Sequence, residues 1–301
     1  MSSDTVISHS EVDTFLLCEK RHYYAFGDST YGDKKGLEPL NVSDALYRGI
    51  SGHTALHAYY QKLIDGGTIE QAEQSSLMAN SALALRPRAN LSILTDLNAR
   101  ILPRFYAVAG EKIRSGWRPL AAEKEFRLHL VNEEGIHLVY PFRPDLIIAD
   151  PAGNIWVWDH KFVYNFYTQE EINLLPQIPK YVGALRALGH EIKGGYYNQL
   201  RHREVKDLAN HVQQVPFVPS NERVVESFRQ QANLMGKIGN LKQLPGDEWS
   251  QRSTRTLNTM VCKTCSFKHL CAVELNGGNG KLMRQAEFQA NTYGYKEEAD
   301  I

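Results

Sequence analysis

The chain has 301 residues, 43% of them apolar, with equal numbers of acidic and basic side chains and a formal net charge of zero. That apolar fraction supports a real core, and the neutral balance excludes a surface that binds polyanions everywhere; basic runs remain only locally, at Lys20-Arg21-His22, Arg201-His202-Arg203 and Arg252–Lys268. No stretch reaches the length of a membrane span and the N-terminus shows no basic-then-apolar pattern, so a soluble, intracellular (cytoplasmic) protein without a membrane partner is expected.

In chain order, Ser8 stands three residues before Glu11, the spacing of a capping box. It opens a helix that carries Val12, Phe15, Leu16 and Cys18 into the aromatic cluster Tyr23, Tyr24 and Phe26, ending at Gly27. Residues 28–41 read as a loop. Ser43-Asp44 starts a second helix, on which His53, Leu56, His57 and Tyr60 share a face. Two histidines at that spacing can chelate a metal, but each taken alone is equally an imidazole with an ordinary hydrogen-bond partner. Helical periodicity continues from Thr68 to Trp117, broken near Pro87 and bent at Pro103, which predicts a helical insertion over residues 63–117.

Residues 119–131 alternate as one strand, with Phe126, Leu128 and Leu130 on one face, and the turn Asn132–Gly135 returns the chain through His137–Tyr140. A turn centred on Glu134 puts Glu123 across from Asp145; a slip of one residue points it away. The stretch Tyr140–Lys161 then concentrates the chemistry. Two apolar runs, Leu146–Ala149 and Ile155–Trp158, flank Asp150-Pro151-Ala152-Gly153-Asn154, the turn residues of a β-hairpin. A turn centred on Ala152 sets Asp145 opposite Asp159, with Lys161 on the same face as Asp159. Like charges that close repel in apolar surroundings, and a divalent cation between them is a natural solution. A helix begins near Pro176 and offers Gln177 and Tyr181 as a polar pair four residues apart, ending at Gly189. Ile192–Leu200 reads as a strand, residues 219–241 as a helix, and Asn276–Gly280 as a hinge before a weakly patterned tail, 276–301.

Of the four cysteines, Cys262, Cys265 and Cys271 form a C-x2-C-x5-C cluster and Cys18 lies far away near the N-terminus. Four thiolates are the complement for a tetrahedral zinc or an iron–sulfur cluster, and spacing alone does not separate the two. The polar neighbours Lys263, Thr264, Ser266 and Lys268 are not core composition, so burial alone does not explain the triplet.

Taken together and in order, these motifs resemble the RecB-like PD-(D/E)XK nucleases, in particular their iron–sulfur members such as the CRISPR-associated RecB-like exonucleases and the AddB nuclease. Ser8-x-Ser10 followed by Phe15-x-x-Cys18 is similar to the opening helix of that family. Gly49-x-x-x-His53-x-x-Leu56 resembles its histidine motif and Glu123-x-x-Phe126 the strand before its first acid. Asp145, Asp159-x-Lys161 and Gln177-x-x-x-Tyr181 resemble the first acid, the second motif and the QxxxY element. Glu19 after Cys18, Phe142 three residues before the acid and Pro179 within QxxxY depart from the pattern.

The resemblance implies an α/β, restriction-endonuclease-like core with a central mixed sheet flanked by helices. It also implies a single nuclease domain over 1–275 in which Cys18, Cys262, Cys265 and Cys271 hold a [4Fe–4S] cluster as a clasp. It selects His53 over His57 as a ligand of Mg2+ or Mn2+, beside Asp145, Asp159 and the backbone carbonyl of His160. Lys161 becomes the group that orients water, with Gln177 and Tyr181 supporting it or the substrate and Glu123 as a further catalytic candidate. The expected activity is a deoxyribonuclease, in particular an exonuclease, on DNA that is single-stranded or has free ends. The alternatives are a nuclease subunit of a larger repair or CRISPR-adaptation complex, and a non-catalytic DNA-binding module stabilised by zinc; partner proteins or a homo-oligomer are expected in either case.

Overall fold

A computed structural model describes residues 4–86, 89–204 and 211–291 of the chain. It forms two compact units, each assembled from separate stretches of sequence. Unit 1 takes Met1–Val42, His129–Pro141 and Gln231–Ile301; unit 2 takes Ser43–Leu128 and Phe142–Gln230. Among the described residues no helix is long and apolar enough to cross a membrane.

The chain opens in unit 1 with β1 (Thr5–Val6), α1 (His9–Leu17), α2 (Glu19–Phe26) and β2 (Leu37–Pro39). It enters unit 2 with α3 (Asp44–Ile64), α4 (Ile69–Ala82), α5 (Leu91–Asp96), α6 (Leu102–Arg114) and β3 (Arg118–Ala122). Strands β4 (Phe126–Val131) and β5 (His137–Phe142) carry it through unit 1 and back. Unit 2 continues with β6 (Leu146–Ala149), β7 (Ile155–Val163), α7 (Gln169–Leu174), α8 (Gln177–Ala187), β8 (Gly194–Arg201) and β9 (Val212–Phe217). The long helix α9 (Asn221–Gln243) leads into α10 (Gly246–Arg252), α11 (Thr259–Lys263), α12 (Lys268–Leu275), α13 (Gly280–Glu287) and β10 (Phe288–Ala290) of unit 1.

Unit 2 is built on a five-stranded sheet of order β3-β6-β7-β8-β9. The β7–β8 pair is parallel and the other neighbours antiparallel, so the sheet is mixed as expected. A parallel neighbour needs a crossover, which α7 and α8 supply. The hairpin register is the one that a turn centred on Ala152 gives: Leu146 faces Trp158, Ile147 faces Val157 and Ile148 faces Trp156. Asp150 fixes that turn, accepting from the N–H groups of Ala152 and Asn154 at 3.0 and 2.8 Å while Gly153 takes φ 84°.

The segment 63–117, expected as a helical insertion, packs onto the sheet. Beyond the break at Pro87, which lies outside the described residues, its side chains Ile93, Leu97, Ile101, Leu102 and Phe105 are fully or almost fully buried. They join Tyr59, Tyr60, Leu146, Ile148 and Trp158 in one core, because the sheet face that β6 and β7 present is apolar and must be covered. Near Pro103 the helix carries a π-turn, Leu97–Ile101, with the proline tolerated in the first turn of α6. These helices are therefore a layer of unit 2.

Unit 1 carries two small sheets, β1-β5-β4 and β10-β2. The expected single helix from Ser8 to Gly27 is two helices, because Cys18 is extended at φ −171°, ψ 121°. Only half of the predicted capping box forms. The Ser8 hydroxyl accepts from the Glu11 N–H at 3.2 Å, but the Glu11 carboxylate turns inward to Lys242 Nζ at 2.9 Å and His22 Nε2 at 3.1 Å. The expected tail also differs: α13 and β10 are folded, with Phe288 buried among Tyr24, Trp249, Phe267 and Leu270. Residues 292–301 of that tail lie outside the described residues.

Burial alone would raise the Glu11 carboxyl, but Lys242 and His22 outweigh it and hold its pKa below the ordinary value. A depressed acid stabilises the fold above its unfolded pKa, about 4.3, and that contribution is lost as pH falls through the lower folded value. Glu11→Gln is therefore expected to cost about 3 kcal/mol near neutrality, since it strands a partly buried lysine. Urea unfolding of both proteins should show that gap narrowing as pH drops below about 4; a gap independent of pH would remove the ion pair as its cause.

Candidate metal centre and cysteine cavity

Helix α3 brings His53 to the sheet. It approaches β7 closely because Gly52 has no side chain: a Cβ there would meet the Phe162 ring at 2.0 Å. Phe162 in turn lies 5.9 Å from the His53 ring, edge to face. Sequence reading passed over Gly52, whose only signal is a glycine in the middle of a 21-residue helix, next to the histidine.

His53 Nδ1 lies 3.4 Å from Asp145 Oδ1 and 3.5 Å from Glu123 Oε1. The three donor atoms fall within 4.8 Å of one another, a set that could hold a metal ion. Glu123 arrives there by a break in the chain. Residues 119–131 are two strands in different sheets, β3 and β4, and Glu123 at the junction takes φ 50°. A non-glycine residue in that region is strained, and such strain collects at functional sites. The register expected from the Glu134 turn nevertheless holds: Ala122 faces Leu146, and the Glu123 N–H donates to the Asp145 carbonyl at 3.1 Å.

Asp159 is 1% exposed and sits outside the group of three. Its neighbour is Lys161, whose Nζ lies 3.1 Å from Oδ1 and 3.0 Å from Oδ2. Lys161 also donates to Gln177 Oε1 at the start of α8. One turn later on α8, the Tyr181 hydroxyl donates to the Arg143 carbonyl at 3.5 Å and its ring stacks on Phe142. The departure from glycine at Phe142 thus supplies the surface against which Tyr181 packs.

His160 divides its roles between two sides of β7. Its backbone N–H donates to Asp145 Oδ2 at 2.6 Å. Its ring is buried, stacked on Tyr60 and edge-on to Phe105, with the Asn198 amide donating to Nδ1 at 2.7 Å. Asn198 is a second residue that sequence reading passed over; it lies in β8 directly opposite His160. His57 stays away from the group, with its buried Nδ1 lacking a hydrogen-bond partner.

The electrostatics are those of a cation site. Burial opposes a charge on His53, yet Asp145 and Glu123 push its pKa up to about 10. Burial likewise opposes ionisation of Asp145, but His53 and the His160 N–H lower its pKa. Asp159 shifts upward, through burial first, with Lys161 opposing and the Asp145 charge adding to it. Lys161 is held protonated by Asp159 and Asp145 against the effect of burial. Burial pushes the His160 ring down to about 4, so it is neutral. The imidazolium of His53 fills the role of a cation between two carboxylates. A divalent ion fits the same donors, one imidazole nitrogen and hard carboxylate oxygens, and would relieve the repulsion between Asp145 and Asp159.

A second candidate site lies in unit 1. A cavity of about 210 Å3 is lined by Cys18, Cys262, Cys265 and Cys271, with Arg21 and Arg255 among the other walls. The extended backbone at Cys18 starts α2 there. Burial raises that thiol's pKa, but backbone N–H groups of Thr256, Arg21 and Lys20 outweigh it and bring the pKa down. Cys271 Sγ accepts from Arg255 Nε at 3.3 Å.

The profile of the PD-(D/E)XK nuclease superfamily matches residues 6–272. Among curated proteins, none matches the chain in sequence. One solved structure, titled the crystal structure of SSO0001, aligns with a TM-score of 0.36 and 15% identity, over 73% of this chain and 84% of that one.

Proposed function

Because the chain belongs to the PD-(D/E)XK nuclease superfamily, a superfamily of metal-dependent nucleases, we propose that it is a Mg2+- or Mn2+-dependent deoxyribonuclease of the RecB-like, iron–sulfur branch. Its substrate is DNA with free ends or single strands, which it digests as an exonuclease in replication, recombination or repair. The observation that supports this reading best is the convergence of His53, Glu123 and Asp145 beside the Lys161–Asp159–Gln177 group.

In this reading His53, Glu123 and Asp145 hold the metal, with Asp159 and the His160 carbonyl completing its surroundings. The ion supplies Lewis acidity and neutralises charge on the phosphate. Lys161, fixed by Asp159 and Gln177, orients the attacking water and stabilises the negative charge that develops on the phosphate. Asp159 serves as a buried counter-ion that keeps the ammonium aimed. Glu123 gains rank over the sequence reading by its place in the group of three. The cysteine cavity holds a [4Fe–4S] cluster. Four thiols around a space of about 210 Å3, with two arginines in its walls to offset thiolate charge, support this reading.

The direct test uses protein purified without oxygen and end-labelled single- and double-stranded DNA in Mg2+, Mn2+ or EDTA. Products that shorten from the ends in either metal and vanish in EDTA are expected. Cutting of covalently closed circles would replace the exonuclease by an endonuclease, and intact DNA in both metals would overturn the nuclease reading.

A further inference from the structure

Beyond Lys161, strand β7 runs through Phe162 to its end at Val163, and the next residue, Tyr164, is 59% exposed. The adjacent parallel strand β8 ends beside it. Val163 faces Arg201 in the register, and the His202 N–H donates to the Val163 carbonyl at 2.9 Å. Three contacts between aromatic and basic side chains therefore form at one end of the sheet. The His202 ring meets Tyr164 at 5.6 Å and the Arg203 guanidinium lies 5.7 Å from the Tyr164 ring. The Arg201 guanidinium covers Phe166 at 3.8 Å.

The group is held in place. Arg203 donates to Asn165 Oδ1 at 3.2 Å, Arg100 donates to the His202 carbonyl at 2.7 Å, and the Tyr167 N–H donates to Gln199 Oε1 at 2.7 Å. Although the chain has no net charge, this end of the sheet is basic. An exposed aromatic ring beside an arginine guanidinium is what an unpaired base and its phosphates bind: the ring stacks on the base and the guanidinium meets the backbone. Bases in a duplex are already stacked and cannot use the ring without unpairing.

We infer that Tyr164, with His202 and Arg203, is a stacking platform for a base of single-stranded DNA, which selects single strands at the nuclease site. Tyr164 is three residues beyond Lys161, just past the end of β7, so no more than about 10 Å of chain separates the two, the reach of a neighbouring nucleotide. The inference rests on the proposed nuclease reading for its substrate and adds the strand preference.

Binding of a labelled oligodeoxythymidine and of a blunt duplex of equal length, in EDTA so that nothing is cut, tests it by fluorescence anisotropy. Tyr164→Ala is expected to weaken single-strand binding about tenfold, the loss of one stacked base, and to leave duplex binding unchanged. Tyr164→Trp should restore the affinity. Equal losses on both substrates, no loss on either, or a wild-type protein that does not bind the oligonucleotide would each overturn the platform. Cleavage by the wild type in Mn2+ separates the two claims. Cleavage without a Tyr164→Ala binding defect leaves the nuclease and removes the platform; a binding defect without cleavage does the reverse.

Discussion

Asp145→Ala is expected to reduce DNA cleavage by about a thousandfold or more while leaving a folded protein, because it removes charge stabilisation at the reacting phosphate. The carboxylate has three tasks. It faces His53 at 3.4 Å, accepts the His160 N–H at 2.6 Å, and is the acid whose charge most strongly raises His53. Losing it strands one backbone N–H, a cost of about 1–3 kcal/mol, well inside the stability of an ordinary domain. Lys161→Ala should be as inactive but less stable, since it leaves Asp159 buried with no counter-ion, a loss of about 3–5 kcal/mol. Adding Asp159→Asn to that variant should recover much of the stability and none of the activity. The measurements are initial rates in Mn2+ and urea midpoints for each variant. Cleavage that survives in folded Asp145→Ala and Lys161→Ala proteins would remove both residues from the mechanism.

Cys262→Ser is expected to abolish the visible absorption of an iron–sulfur cluster and to lower thermal stability by several degrees, as loss of a structural metal group does. Unit 1 explains the size of the effect. The apolar cluster beside the cysteines is small, and two of its members, Phe267 and Leu270, lie within the cysteine segment itself. Arg255 ties Cys271 to Glu274 at 2.8 Å, and Glu274 is held by Arg284 and Tyr24 at 2.6 Å each. A cluster would fasten that network to Cys18 at the start of α2, so its loss should loosen both stretches together. Iron and zinc content of the wild-type protein decide the metal. One zinc and no iron would replace the cluster by a zinc site, and a colourless, metal-free wild type as stable as Cys262→Ser would leave the cysteines without a ligand.

Sequence reading reached the hairpin because its turn is local chemistry. Asp150, Pro151 and Gly153 dictate the corner, the corner dictates the register, and the register sets where Asp145 and Asp159 lie. Glu123 was reached by a less sound route. Its pairing with Asp145 was argued from one continuous strand, whereas the chain breaks at Glu123 and sends β3 and β4 into different sheets. The two routes agree because β3 pairs with β6 in that register with a shift between Pro119 and Ala121. His53 was selected over His57 by resemblance, not by periodicity, which leaves both on one helical face.

What the sequence determined alone was therefore local or compositional: the turn at Ala152, the caps at Ser8 and Ser43, the apolar strands, and a cysteine set too polar in its surroundings to be core. What only the tertiary structure decided was which of these meet. Gly52 lets α3 lie against Phe162, and that approach carries His53 to Asp145 and Glu123. The helices of 63–117 proved to be a core layer because the sheet needed covering, and Tyr181 turned to Arg143 because Phe142 offers it a surface to stack on. Such contacts join residues far apart in the chain, and their energies depend on packing between elements, a quantity that no window of sequence contains.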